Sequence, residues 1–160
     1  MTEVCAGVPA GFGSVTPIVY LTDTSAAIDF YRIVFGATEL KRVPGRDGRI
    51  AHAEIRIGES VLILVDQLVG SGRIGTGAPS PRVELAHYSE DADGLFARAT
   101  DLGSTVLLPM TDVFWGDRYG KVMDPFGLVW AIATRKASLT IEELQQRMSG
   151  ALSAASTPRT

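Results

Sequence analysis

The 160-residue sequence has little of what several classes of protein require. Its one cysteine, Cys5, has no partner for an internal disulfide, which favours a reducing compartment and predicts a cytoplasmic location. No apolar run approaches the length of a membrane span, and the N-terminus lacks the basic and apolar regions of a secretory signal. The 15 basic and 18 acidic residues give a net charge of −3, so no basic excess indicates nucleic-acid binding. We therefore expect a protein that engages neither membranes nor nucleic acids.

What the sequence does contain is one order of elements that occurs twice. Residues 14–66 predict a strand, a helix that ends before Gly36, and three antiparallel strands. Residues 82–135 predict the same order, with a helix that ends before Gly103. The helix, its glycine and the following strand repeat at an offset of about 67 residues. This duplication predicts two tandem βαβββ modules of the α+β class.

Four segments lie outside these modules. The leader, residues 1–13, and the tail, residues 149–160, are predicted to be flexible or disordered. Residues 67–81 spell a GxGxxG motif, but prolines follow it where a dinucleotide site needs a helix, so we interpret this segment as a linker or lid loop. Thr140 begins a capping box that predicts a short helix over residues 140–148, whose apolar stripe indicates a docking face.

The second module ends in a hairpin over residues 114–133. Its arms are rich in Val, Tyr, Trp and Ile, and Asp124 to Gly127 (Asp-Pro-Phe-Gly) form the turn between them. Trp115, at the entrance of the hairpin, either stacks on a planar ligand or packs in the core. The Tyr119 hydroxyl either orients a ligand or pairs with the backbone, and Trp130 is expected to pack towards the helices.

The other candidates for chemistry are His52 and Glu54, which lie two residues apart on a predicted strand. This spacing places both side chains on the same face of the sheet. Histidine can act as a general base or a metal ligand, and glutamate as an acid, a base or an anchor for the histidine tautomer. The alternative is a polar, solvent-facing surface that continues to Arg56.

The chain resembles the vicinal oxygen chelate superfamily of glyoxalases, bleomycin-resistance proteins and extradiol dioxygenases. Over roughly residues 14–148 the finer resemblance is to the PhnB-like branch. It implies a single glyoxalase-like domain, in which two modules curl a mixed sheet around a cavity, often in a homodimer. The motifs that carry it are Thr16-Pro17, Asp29-Phe30-Tyr31 through Phe35-Gly36-Ala37, Ala51-His52-Ala53-Glu54, Phe114-Trp115-Gly116-Asp117-Arg118-Tyr119-Gly120, and Asp124-Pro125-Phe126-Gly127 with Trp130.

The resemblance also locates the positions at which metal-using members bind their ion. These members place His, Gln or Glu at four sheet positions that face the cavity. Carried across by motif, the positions fall near Thr16, at about Ile63, near Val83 and at Ala131. Divalent metals bind imidazole, carboxylate or amide groups, and these side chains supply none of them. A register shift of one residue would add only Glu84, so we predict no metal and no other cofactor.

These observations predict that the protein binds a small, planar or apolar organic molecule without a metal, as antibiotic-sequestering relatives do. They favour a protein that is not an enzyme. One alternative is an enzyme of the superfamily, either a metal-dependent lyase, isomerase or dioxygenase, or a metal-free acid–base catalyst that uses His52 and Glu54. Another is an interaction module that uses the C-terminal helix. The expected partners are the ligand and a second copy of the chain. The predicted ligand-binding residues are Trp115, Tyr119, His52, Glu54, Ile63 and Ala131.

Overall fold

The chain divides into two compact units, Met1–Pro81 and Arg82–Thr160. In the part of the chain that the structure describes, no helix is both long and apolar enough to cross a membrane. The predictions for most of the leader, for the Gly-rich segment and for the end of the tail fall outside the described residues. This computed structural model describes residues 7–9, 11–67 and 83–155.

The first unit contains one helix and a four-stranded mixed sheet. The strand order is β1-β4-β3-β2, in which β1 runs parallel to β4 and the other neighbours are antiparallel. This is the predicted order of a strand, a helix and three strands. The elements are β1 (Ile18–Leu21), α1 (Thr24–Phe35), β2 (Thr38–Pro44), β3 (Ile50–Ile57) and β4 (Ser60–Asp66).

The second unit repeats this topology. Its strand order is β5-β8-β7-β6, again with one parallel pair, β5 and β8. The prediction of two tandem βαβββ modules in an α+β fold is therefore confirmed. The elements are β5 (Leu85–Tyr88), α2 (Ala92–Asp101), β6 (Thr105–Asp112), β7 (Asp117–Met123), β8 (Val129–Arg135) and α3 (Ile141–Ala155).

Local chemistry fixes the ends of the two module helices. The Asp23 carboxylate accepts a hydrogen bond from the Ala26 N–H, and the Asp91 carboxylate accepts one from the Gly94 N–H, both at 2.9 Å. Each bond satisfies an N–H that has no partner within the first turn of the helix. Gly36 ends α1 in the left-handed conformation, with φ of 67°. The predicted glycine stop is confirmed, because a residue without a Cβ adopts this conformation at little cost.

Asp66 links three elements of the first unit. One carboxylate oxygen accepts the Thr24 N–H of α1 at 2.7 Å, and the other accepts the Ile50 N–H of β3 at 2.6 Å. Burial alone would raise the pKa of Asp66, but these backbone hydrogen bonds outweigh it and lower the pKa. The ionised carboxylate therefore stabilises the attachment of α1 and β3 to the end of β4.

In each unit the core lies between the helix and one face of the sheet. In the first unit, Ile55 and Leu64 are buried with Tyr31 and Val34 of α1. In the second unit, a Cβ added to Gly120 of β7 would come within 2.9 Å of the Phe96 ring of α2, so this side of β7 faces the helix. Side chains alternate along a strand, so the sequence neighbours of these residues point to the opposite side of their sheet. We call this side the helix-free face of each sheet; it carries Glu54 and Ile63 in the first unit and Tyr119 and Lys121 in the second.

The C-terminal helix differs from its prediction. The capping box at its start is confirmed, since the Glu143 carboxylate accepts the Thr140 N–H and the Thr140 hydroxyl accepts the Glu143 N–H. The predicted end at Met148 is wrong, because α3 continues to Ala155 through the strong helix formers that follow Gly150. The beginning of the predicted disordered tail is therefore helical.

Candidate functional site

His52 and Glu54 form a close pair on the helix-free face of the first sheet. Their side chains project from β3, and His52 Nε2 lies 2.8 Å from Glu54 Oε1. Lys41 Nζ of the edge strand β2 lies 3.6 Å from the same oxygen. The pKa of Glu54 is lowered, chiefly because His52 hydrogen-bonds to its carboxylate. The pair can therefore hold the imidazole in one orientation, as an acid–base group or a ligand contact requires.

Ile63 places an apolar side chain beside this pair. It lies on β4 directly opposite Glu54 of β3, and it is paired on its other side with Ile18 of β1. Ile63 is half-buried, whereas the Ile18 side chain is exposed. Three of the six predicted binding residues are thus neighbours on one face of the first unit.

A buried carboxylate organises the helix-free face of the second sheet. Asp117, at the start of β7, is 1% exposed. One of its oxygens accepts hydrogen bonds from the Tyr88 hydroxyl at 3.0 Å and from the Trp115 indole N–H at 3.1 Å. Its other oxygen forms an ion pair with Nε of Arg135 at 2.5 Å. We call these four residues the Asp117 cluster.

The loop before β7 presents Trp115 to this cluster through a close backbone contact. Gly116 has φ of 94°, and a Cβ at this position would come within 2.6 Å of the Ala137 carbonyl oxygen. The Gly116 carbonyl in turn accepts the N–H groups of Lys136 and Ala137 at 2.9 and 3.0 Å. A side chain at Gly116 would push the loop away from the residues that follow β8, so glycine is required here.

Trp115 contacts other aromatic side chains edge to face. Its ring centroid is 5.2 Å from that of Tyr119 and 5.0 Å from that of Phe114, with interplanar angles of 79° and 90°. Trp115 is half-buried, so neither of the two predicted alternatives, a ligand contact or a core residue, describes it completely. By contrast, Trp130 is 3% exposed, and its indole N–H donates to Asp124 at 3.0 Å. Its predicted core position is confirmed.

A second ion pair crosses the same face. Lys121 of β7, Ala131 of β8 and Ala86 of β5 lie side by side in register. Lys121 Nζ is 2.6 Å from the carboxylate of Glu84, which precedes β5, so the pair extends past the strand that carries Ala131. Ala131 is only 4% exposed, so a ligand reaches it only past larger neighbouring side chains. The pKa of Lys121 is raised, chiefly because its ammonium hydrogen-bonds to Glu84.

Sequence reasoning missed the Asp117 cluster and the pair of Lys121 and Glu84. Arg118, which follows Asp117 in the sequence, bonds Asp93 of α2 at 2.9 Å, so sequence adjacency does not indicate the partners of Asp117. One signal was present: Asp117, Tyr119 and Lys121 alternate along the strand, which places their side chains on one face. Tyr88 and Glu84 lie far away in the sequence, and the pairing of β5 with β8 brings them close to β7.

The structure also corrects the third of the four positions taken from the resemblance. The helix caps Asp23 and Asp91 are 68 residues apart, but the glycines that follow the helices, Gly36 and Gly103, are 67 apart, because α2 is shorter than α1. For the residues that precede the helices, the offset between corresponding positions of the two modules is therefore 68. It places Glu84, rather than Val83, at the position that corresponds to Thr16. Glu84 indeed directs its side chain to the helix-free face, where it meets Lys121.

The resulting set of donors does not fit a divalent metal. The four positions carry Thr16, Ile63, Glu84 and Ala131, and the carboxylate of Glu84 is already paired with an ammonium group. Within residues 7–9, 11–67 and 83–155, no three His, Cys, Asp or Glu side chains form a group that could hold a metal ion. Catalytic metal sites use about three protein ligands, so one paired carboxylate is insufficient.

Two βαβββ modules with this strand order define a glyoxalase-like α+β protein. The chain belongs to the Glyoxalase/Bleomycin resistance protein/Dioxygenase superfamily, whose model matches residues 12–132. An uncharacterized protein of Mycobacterium bovis is 36% identical over 140 residues, which cover 85% of this chain and 92% of the relative.

Three solved structures show the same fold. TioX from Micromonospora sp. ML1 is 25% identical, with a TM-score of 0.55 over 76% of this chain and 99% of that chain. A PhnB protein from Bacillus cereus is 16% identical, with a TM-score of 0.63 over 76% of this chain and 99% of that chain. A mutant of the fosfomycin resistance protein FosX from Listeria monocytogenes, complexed with Mn(II), is 15% identical, with a TM-score of 0.56 over 85% of this chain and 97% of that chain.

Proposed function

We propose that this protein binds a small, flat organic molecule without using a metal. The observation that carries the proposal is the Asp117 cluster, which holds Tyr88 and Trp115 on one side of the second sheet, with Tyr119 against Trp115. Aromatic side chains offer large, flat contact surfaces, and a few fixed polar groups beside them give a binding site its specificity.

The family adds support to a binding role. Its description includes bleomycin resistance proteins. A protein that sequesters a toxic molecule lowers its free concentration by mass action, without breaking a bond. This role requires neither a metal nor a nucleophile, in agreement with the side chains at the four positions described above. We also propose that the chain acts as a homodimer in the cytoplasm, and light scattering of the purified protein tests the dimer.

The two tryptophans give a direct test of binding. In a Trp130→Phe variant, Trp115 is the only indole reporter, whereas in a Trp115→Phe variant the buried Trp130 serves as the control. We expect a nitroaromatic probe, 6-nitro-2-naphthoate, to quench Trp115 emission to saturation, at one site per chain or per dimer, and not to quench Trp130. Should Trp130→Phe fail to fold, the difference between wild type and Trp115→Phe reports the same signal.

Two outcomes would contradict the proposal. Absence of saturable quenching across a panel of flat aromatic molecules would remove the binding site. Recovery of a chemically altered ligand would favour the second candidate function, a metal-free acid–base catalyst. The specific observation behind this candidate is the 2.8 Å contact between His52 and Glu54. In that case His52→Ala should return the ligand unaltered while leaving the unfolding midpoint close to that of the wild type.

A further inference from the structure

A lysine occupies an interior position on the helix-free face of the second sheet. Lys121 lies on β7, which is one of the two central strands in the order β5-β8-β7-β6. The residues beside it in register, Ala131 and Ala86, end at the Cβ atom. The Lys121 side chain is 29% exposed, so it is partly shielded yet within reach of a bound molecule.

The ammonium group of Lys121 has donors for more than its described partners. A lysine ammonium carries three N–H donors. One is directed to the Glu84 carboxylate at 2.6 Å. A further acceptor can therefore bind the ammonium, either beside Glu84 or in its place. Glu84 precedes β5, and its side chain is 38% exposed, so exchange of this carboxylate for a ligand oxygen does not disrupt the core.

In the first unit, the position that corresponds to Lys121 carries an acidic residue, Glu54. Glu54 of β3 lies opposite Ile63, as Lys121 of β7 lies opposite Ala131. The contacts of Glu54 are with His52 on its own strand and with Lys41 on the edge strand β2. A cation that points across the sheet, beside aromatic side chains, is therefore a feature of the second unit.

We propose that Lys121 is the polar anchor of the binding site, and that the bound molecule is a flat organic anion with a carboxylate or phenolate oxygen beside its ring system. The inference rests on the proposed function and adds the chemical class of the ligand. Tyr119 connects the two parts of the site, since its ring contacts Trp115 and its side chain lies on the same face of β7 as Lys121, two residues further along the strand. The ligand oxygen takes the place that Glu84 holds in the free protein.

A matched pair of probes tests the anchor. The anion 6-nitro-2-naphthoate and its neutral amide, 6-nitro-2-naphthamide, have nearly the same shape and differ in charge. Because a charge-assisted hydrogen bond is about twice as strong as a neutral one, we expect the anion to bind the full-length protein about tenfold more tightly. The measurement is the dissociation constant of each probe, from quenching of Trp115 emission.

Substitutions on both sides of the ion pair give opposite expectations. Lys121→Met should remove the preference for the anion, while Lys136→Met, at an exposed lysine, should leave it unchanged. Glu84→Gln removes the charged group that competes with the ligand for Lys121. The affinity for the anion should rise about two- to fivefold, because this is the change that the free energy of an exposed ion pair produces. Glu90→Gln makes the same change in net charge at an exposed position and should have no such effect.

The outcomes separate the anchor from the proposed function. If both probes bind equally to the wild type, or if Glu84→Gln leaves the affinity for the anion unchanged, the anchor is overturned, while saturable quenching still supports a binding protein. If neither probe quenches Trp115, the anchor is overturned, and if no other flat aromatic molecule of the panel quenches it, the proposed function is contradicted as well. A gain of affinity in Glu84→Gln together with a loss of preference in Lys121→Met supports the anchor, because a purely structural ion pair predicts no gain.

Discussion

Replacing Asp117 with alanine tests whether one carboxylate holds the aromatic side chains of the second unit. The substitution removes the acceptor of the Trp115 indole N–H and of the Tyr88 hydroxyl, together with the ion pair to Arg135. Hydrogen bonds to a charged acceptor contribute roughly 1.5–3 kcal/mol each when they are buried. Tyr88 is 52% exposed and the Arg135 side chain is 51% exposed, so these two contacts count for less.

The expected loss in the free energy of unfolding for Asp117→Ala is therefore about 3 kcal/mol, most of it from the Trp115 contact. With a urea dependence of about 1–3 kcal/mol per molar, the unfolding midpoint should fall by roughly 1–3 M. Asp117→Asn retains one oxygen for Trp115 and Tyr88 but turns its NH₂ group towards Arg135, so we expect a loss of about 1 kcal/mol. In Asp117→Ala, which removes the acceptor of its indole N–H, Trp115 should become more mobile, and a lower fluorescence anisotropy would show this.

The matched control is Asp112→Ala. Asp112 lies at the end of β6, its side chain is 80% exposed, and it is 3.7 Å from Arg118. Removing an exposed ion pair of this length should change stability by less than about 0.5 kcal/mol. The reasoning is refuted if Asp117→Ala unfolds at the same urea concentration as Asp112→Ala, or if it loses stability while Trp115 emission, anisotropy and probe binding stay those of the wild type.

Two further predictions concern the framework of the units. The pKa of Asp66 is lowered in the folded state, so its contribution to stability is complete above the unfolded pKa of about 3.9 and is lost as the pH falls through the lower folded value. The difference in urea midpoint between wild type and Asp66→Asn should therefore be large at pH 7 and shrink below about pH 4, and a constant difference would contradict this linkage. Gly120→Ala would bring a Cβ within 2.9 Å of the Phe96 ring, so we expect a loss of about 1–3 kcal/mol and a lower melting temperature. Gly150→Ala, which meets no atom within 4 Å, should not lower it, and equal melting temperatures for the two variants would show that α2 does not pack tightly on this glycine.

Patterns confined to a few neighbouring residues made the elements predictable. The turn after β7 shows why, since the Asp124 carboxylate accepts the backbone N–H groups of Phe126 and Leu128 at 3.0 and 2.9 Å. The residues that make these bonds adjoin one another, so their types alone specify the turn. The same holds for the cap at Asp23 and the left-handed glycine at Gly36, and it allowed the duplication to be recognised.

The contents of the candidate site were only partly predictable. Strand alternation placed His52 with Glu54, because two residues on one strand need no information about any other strand. The hydrogen bond from Tyr88 to Asp117 joins residues 29 apart, and the ion pair of Lys121 and Glu84 also joins distant segments. No property of either residue alone indicates the other.

The sequence by itself determined the order of strands and helices, the repeat of that order, and membership of a family with this fold. The tertiary structure decided which side chains meet, because strand pairing sets the register, and a shift of one residue moves every side chain to the other face of a sheet. The third of the four positions shows the effect, since the register of β5 on β8 places Glu84, and not its neighbour Val83, on the face of Lys121. Local propensity sets the path of each strand, but contacts between distant strands fix their alignment.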